Sequence, residues 1–195
     1  MIDYGFGVRL APLDSQHGEA IRSWRNDCQI WQWCRQYSLI TDISQKKWLE
    51  KINDDSSSKM FVIEMKDKSR ELVIRYACTD KNHSPYVPVG VCGLTSIDLI
   101  SRRAEFSLYI GPDFQRKGYA RAALMTLFKH GFMDFGLNCI WGETFEGNPA
   151  LKLFLSLGMK QEGVRRQFYF KNGKFIDAHL ISILRDEWNP HSGCY

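Results

Sequence analysis

Between Arg103 and Thr144 the chain changes its apolar period twice, and that change limits the fold more than any other feature. From Arg103 to Ile110, Glu105, Ser107 and Tyr109 alternate with Phe106, Leu108 and Ile110, the period of two of a half-buried strand. Gly111-Pro112-Asp113 ends it. Ala123, Leu124, Leu127, Phe128 and Phe132 then share one helical face, and Gly136 stands where a C-terminal cap is expected. Cys139 to Thr144 returns to strand. Strand, helix and strand in this order predict a right-handed crossover with two locally parallel strands.

The other elements are arranged around that unit as a meander. A strand is expected from Val8 to Leu13. A helix follows, capped by Asp14 or Ser15, with Ala20, Ile21 and Trp24 at helical spacing. A second helical piece spans Ile30 to Tyr37. A third lies within Thr41 to Ile52, with Asp42 or Ser44 as cap and Trp48, Leu49 and Ile52 as its apolar face. Strands are expected at Met60–Met65, Glu71–Cys78 and Val89–Ile97, with a loop over Asp80–Pro88. Beyond the crossover, Asn148-Pro149 opens a short helix, Ala150 to Leu157, that stops at Gly158. Strands at Val164–Phe170 and Phe175–Leu184, joined by Lys171-Asn172-Gly173, close the chain as a hairpin. The fold class is α/β (α+β): a mixed central sheet of six to seven strands with flanking helices. The 195 residues suit one domain, residues 1–188, with a short tail over 189–195.

Composition excludes several classes. The net charge is +4 with no Lys/Arg block, so no nucleic-acid partner is expected. No apolar run reaches ~18 residues and Met1 to Leu10 has no signal-peptide pattern, so no membrane association is expected. None of the 6 cysteines forms a C-x-x-C pair or has histidines at zinc-ligand spacing. His17, His83, His130, His179 and His191 are scattered and suggest no metal. Reduced thiols in a cytoplasmic protein are the expectation.

The segment Tyr109 to Arg121 carries the chemistry. The first N–H groups of a helix have no internal partner, and the helix dipole adds about half a positive charge there. An oxyanion in the loop before the helix gains several donors at once. Gly118 lets the backbone approach a phosphate, and Arg116 and Lys117 add formal charge. This is the profile of a pyrophosphate cradle. Neither G-x-x-x-x-G-K-[ST] nor G-x-G-x-x-G is present, which sets aside the common nucleotide loops.

Gln115-Arg116-Lys117-Gly118-Tyr119-Ala120 resembles the Q/R-x-x-G-x-G/A signature of the GNAT superfamily. Ala104-Glu105-Phe106, Asn148-Pro149-Ala150 and Leu157-Gly158-Met159 fall where that superfamily has its other motifs. The second half is similar to spermidine and ribosomal-protein N-acetyltransferases. Trp24-Arg25-Asn26, Ile40-Thr41 and Trp48-Leu49 are more similar to enzymes that modify UDP-linked amino sugars. The resemblance implies acetyl-CoA as co-substrate and acetyl transfer to a primary amine on a small molecule, an amino-sugar nucleotide, a polyamine or a protein N-terminus. It allows a homodimer. It also implies a splay between strands 4 and 5, at Leu108-Tyr109-Ile110 and Trp141-Gly142-Glu143, that takes the pantetheine arm. The CoA site would comprise Leu108, Tyr109, Ile110, Gln115, Arg116, Lys117, Gly118, Tyr119, Ala120, Asn148 and Phe154.

For such a transfer, Glu105 and Glu143 are the candidate bases, each on a strand beside the splay. A backbone N–H at Tyr109 or Ile110 would stabilise the thioester oxygen. Many relatives carry a tyrosine four residues before the glycine of the second motif. Here that position is Phe154, which cannot donate a proton. Ser156 and Tyr169 are the remaining nearby hydroxyls. The departure also leaves a second reading, a catalytically weak or inactive acyl-CoA-binding module. The N-terminal helices would wall the acceptor site with Trp24, Trp31, Trp33, Tyr37, Trp48, Arg25, Asn26 and Arg35.

Overall fold

In the computed structural model, which describes residues 1–67 and 85–190, seven strands form one sheet in the order β1-β2-β3-β4-β5-β7-β6. They are β1 Arg9–Pro12, β2 Lys59–Lys66, β3 Tyr86–Asp98, β4 Arg103–Ile110, β5 Cys139–Phe145, β6 Lys160–Lys171 and β7 Lys174–Leu184. Every neighbouring pair is antiparallel except β4 and β5. That parallel pair is the one the crossover demands. The connecting helix, α4 (Tyr119–Lys129), continues through a π turn over His130–Asp134 to Gly136, whose φ of +63° ends it.

Helices α1 (Gly18–Asn26), α2 (Cys28–Trp31) and α3 (Asp42–Asp54) precede β2, and α5 (Ala150–Ser156) links β5 to β6. The two faces of β4 feed two cores. Phe106 and Ile110 join Leu124, Leu127, Phe128 and Phe132 of the α4 side, where Leu108 packs against them. Tyr109, on the opposite face, packs against Leu13, Ile21, Leu49, Val62 and Val91 beneath α1 and α3. The alternation read from the sequence is thus an alternation between two hydrophobic layers.

Four expectations need correction. The second helical piece is not Ile30–Tyr37. Asp27 accepts from the Gln29 amide and starts α2 earlier, and the helix ends at Trp31. Thr41, not Asp42 or Ser44, caps α3 by accepting from the Ser44 amide at 3.2 Å. Tyr86–Pro88 belongs to β3 rather than a loop. Pro88 is tolerated because it lies opposite Glu64, where a bulge interrupts the β2 register. β6 starts at Lys160, four residues before the expected Val164, with a further bulge near Gly163. The strand expected at Glu71–Cys78 lies outside the described residues.

Candidate active site

β4 and β5 pair only at Arg103 with Cys139, Ala104 with Ile140 and Glu105 with Trp141. β4 runs on to Ile110 and β5 to Phe145, so the two strands diverge beyond Glu105 and leave a fork. The Phe106 ring lies where a side chain at Gly142 would stand, with one ring carbon 2.5 Å from that Cβ position. It packs edge-on against Phe154 at 5.1 Å and Phe128 at 6.2 Å. Gly142 therefore makes room for a ring of its own protein. The Gly111 amide donates to the Val89 carbonyl. By the two-residue alternation of an antiparallel ladder, the Tyr109 amide also faces β3, while those of Leu108 and Ile110 face the fork.

At the far end of the fork lies the loop before α4. Arg116 and Gly118 both have positive φ, +60° and +85°, and Gly118 is the N-cap of α4. Alternating conformations of this kind turn successive amides toward one point and form an anion-binding nest. A Cβ placed on Gly118 meets nothing within 4 Å, so the space above the loop is open. The Gln115 side-chain amide donates to the Ile110 carbonyl at 3.1 Å and pins the loop to the end of β4. Lys117 departs from expectation in its side chain, which folds back and donates to the Asp113 carbonyl at 2.8 Å.

Loop and fork open into one cleft of about 1060 Å³. Leu108, Tyr109, Ile110, Gln115, Arg116, Gly118, Tyr119, Ala120, Asn148 and Phe154 all line it, as do Glu105 and Glu143. Asn148 also supports α5, since its side-chain oxygen accepts from the Ala150 amide at 3.0 Å. Ser156 lies elsewhere and donates to the Leu153 carbonyl. A groove with an open anion nest at one end and unpaired strand edge along its length fits the diphosphate and amide-bearing arm of coenzyme A.

The two carboxylates differ in what they have left to offer. Glu105 is buried at the fork itself, and its Oε1 accepts from Arg35 at 2.6 Å. Its Oε2 has no partner among the described residues. Glu143 has both oxygens taken: Oε1 by Arg35 at 3.3 Å and by the Tyr169 hydroxyl, Oε2 by Arg165 at 3.1 Å. Burial and the bond to Glu143 push the Tyr169 phenol up to about 12, so it keeps its proton.

The N-terminal segment covers the fork. Arg25, Trp33, Arg35, Tyr37 and Trp48 line the cleft as expected. Trp24 instead packs edge-on against Phe114, and Asn26 exchanges two hydrogen bonds with the backbone of Ile40. Two residues here carried no sequence signal. Lys171, the last residue of β6, donates to the carbonyls of Trp31 at 3.1 Å and Gln36 at 2.9 Å, and so ties the hairpin to the cover. Gln45, on α3, lines the cleft almost fully buried, and neither of its side-chain amide atoms has a partner among the described residues.

Residues 8–160 match the acetyltransferase (GNAT) domain family. The chain is 29% identical over 183 residues to the uncharacterized N-acetyltransferase p20 of Bacillus licheniformis, covering 93% of this chain and 94% of that protein. It is 31% identical over 101 residues to the spermidine N(1)-acetyltransferase of Vibrio cholerae, covering 51% of this chain and 58% of that one. Among solved structures, a Vibrio cholerae spermidine N-acetyltransferase in complex with CoA and spermine superposes with a TM-score of 0.80 at 22% identity, over 93% of this chain and 97% of that one.

Proposed function

The chain belongs to the acetyltransferase (GNAT) domain family and is an N-acetyltransferase, and from that premise we propose that it transfers acetyl from acetyl-CoA to a primary amine by direct attack at the fork. The observation that carries this reading is the single cleft, which has an anion nest at the α4 N-terminus and, where β4 and β5 part, a carboxylate with one oxygen that has no partner among the described residues.

The roles follow from the geometry. An amine near pKa ~10 must lose a proton before it attacks. Glu105 takes that proton on Oε2, directly or through one water. The nitrogen bonds to the thioester carbon, the C–S bond breaks, the sulfur leaves as thiolate, and the nitrogen gives its second proton to water. Charge on the carbonyl oxygen is met by the Ile110 amide, which faces the fork, rather than by that of Tyr109, which the β3 ladder uses. Glu143 holds Arg35 in place instead of acting as base. The amides from Lys117 to Ala120 and the Arg116 guanidinium hold the diphosphate. Among the described residues, Cys28, Cys34, Cys92 and Cys139 are in no disulfide, and a cytoplasmic setting is part of the proposal.

Thiol release from acetyl-CoA with a panel of primary amines tests the reading, with calorimetric titration of CoA alongside. Release with at least one amine supports it. Absence of both release and CoA binding overturns it. Phe154 motivates the second reading, an acyl-CoA-binding module, which tight CoA binding without release would select.

A further inference from the structure

The acceptor side of the cleft has a charge balance that the acetyl-transfer reading leaves unused. Around the fork its charged lining consists of two carboxylates, Glu105 and Glu143, and two guanidinium groups, those of Arg25 and Arg35, while Arg116 and Arg121 stand at the α4 end of the cleft. Arg35 spans both carboxylates, and Arg165 reaches Glu143 as well. A polyamine would bring further ammonium groups to a site whose carboxylates are already matched, and such like-charge crowding is unfavourable.

Arg25 is the cation left over. It is half-buried on α1, pairs with no carboxylate among the described residues, and stacks over the Trp48 ring with its guanidinium carbon 5.6 Å from the centroid. Its charge also reaches the Tyr109 phenol and the Cys34 thiol. A stacked guanidinium is held ready for a planar or tetrahedral oxyanion.

The groups around it are unsatisfied too. Gln45 is 1% exposed, and among the described residues both its side-chain amide atoms lack partners. The Tyr109 hydroxyl is buried and likewise has no partner among the described residues. Both line the same cleft as Arg25. A buried donor or acceptor left unmade is costly, so several of them in one cleft with a cation mark a place where a ligand supplies the missing bonds. Glu105 and Tyr109 stand on one face of β4, four residues or roughly 13 Å apart. One small molecule together with a long arginine side chain covers that span.

We propose that the acceptor is a small amine that also carries an anionic oxygen group, carboxylate or phosphate, which Arg25 receives with Gln45 and Tyr109 while the amine faces Glu105. The proposal rests on the acetyl-transfer reading of this cleft and names its substrate class.

The test is calorimetry on the CoA-loaded protein with matched amines: glucosamine 6-phosphate against glucosamine, ε-aminocaproate against its amide, and spermidine. The anionic member of at least one pair should bind at least ~10-fold more tightly than its neutral partner, as a charge-assisted pair would give. The pair that shows this difference identifies phosphate or carboxylate as the recognised group. Arg25→Gln should bring the anionic amine down to the level of the neutral one, and Gln45→Leu should act in the same direction more weakly. The wild-type ratios decide the matter even if neither variant folds. Equal binding within both pairs, or spermidine binding best, would overturn the proposal. Thiol release from acetyl-CoA, measured separately, reports on the acetyl-transfer reading whichever way the binding ratios fall.

Discussion

The Arg35 guanidinium lies 2.6 Å from Glu105 Oε1 and 3.3 Å from Glu143 Oε1, so one cation from the N-terminal cover holds together carboxylates from two strands that have just separated. The two carboxylates are not equivalent, because only Glu105 keeps an oxygen without a partner among the described residues.

The corresponding amide variants should therefore separate. Glu105→Gln is expected to lower kcat by ~10²-fold or more, the usual scale for a lost general base, with little change in thermal stability. Glu143→Gln should lower stability by about 1–3 kcal/mol, since it disrupts the bonds of Arg35, Arg165 and Tyr169 together, and reduce kcat less. Steady-state kinetics beside denaturant titration distinguishes the two. Equal kinetic losses would remove the assignment of Glu105 as base.

Gly118 can be tested against a glycine with the same backbone constraint elsewhere. Gly118 and Gly173 have φ of +85° and +75°, and neither has an atom within 4 Å of an added Cβ. Alanine at either position should cost roughly 1 kcal/mol of stability from the left-handed conformation alone. Only Gly118→Ala should also weaken CoA binding, by about tenfold or more, because its methyl would enter the anion nest. Calorimetric titration of both variants with CoA checks this, and an unchanged affinity for Gly118→Ala would move the diphosphate elsewhere.

The central unit was legible in the sequence because both of its signals are local. The alternation around Phe106, Leu108 and Ile110 and the spacing of Leu124, Leu127 and Phe128 need no tertiary knowledge. The splay follows from resemblance alone, and the structure shows it as β4–β5 pairing that stops at Glu105 and Trp141. Other features arise from distant partners. Pro88 reads as a loop residue until the bulge at Glu64 is seen opposite it. Lys171 reads as part of a hairpin turn, yet its ammonium group ends on carbonyls more than a hundred residues away in sequence. Glu105 and Glu143 are both candidate bases in the sequence, because nothing local tells which will share its oxygens with Arg165 and Tyr169.

Tyr169 gives a spectroscopic readout of that sharing. Its phenol is pushed up to about 12, first by burial and then by its bond to Glu143. A phenol that ionises late in the folded state adds stability in full below its ordinary pKa of ~10, and that contribution is lost as pH rises toward the folded value. In an alkaline absorbance titration, the difference between wild type and Tyr169→Phe should stay flat through pH ~10 and develop near 12. In Glu143→Gln the same phenol should titrate earlier. A difference spectrum already complete at pH ~10 would mean that the hydroxyl is not held by Glu143 in solution.

Phe154 tests whether the departing sulfur needs help. Its ring is buried against Phe106, with centroids 5.1 Å apart, and it lines the cleft. Phe154→Tyr places a hydroxyl where many relatives in the superfamily have one. If a proton were needed in the transition state, restoring a donor there would raise kcat strongly. A thiol of pKa near ~8.5 leaves tolerably as thiolate at neutral pH, however. The barrier then lies in deprotonating and attaching the amine, steps that the proposed mechanism gives to Glu105 and the Ile110 amide. The expected change in kcat is therefore less than ~10-fold, under about 1.4 kcal/mol in activation free energy. A larger gain would place thiolate protonation at the slow step of the wild-type enzyme and make the phenylalanine a brake on turnover.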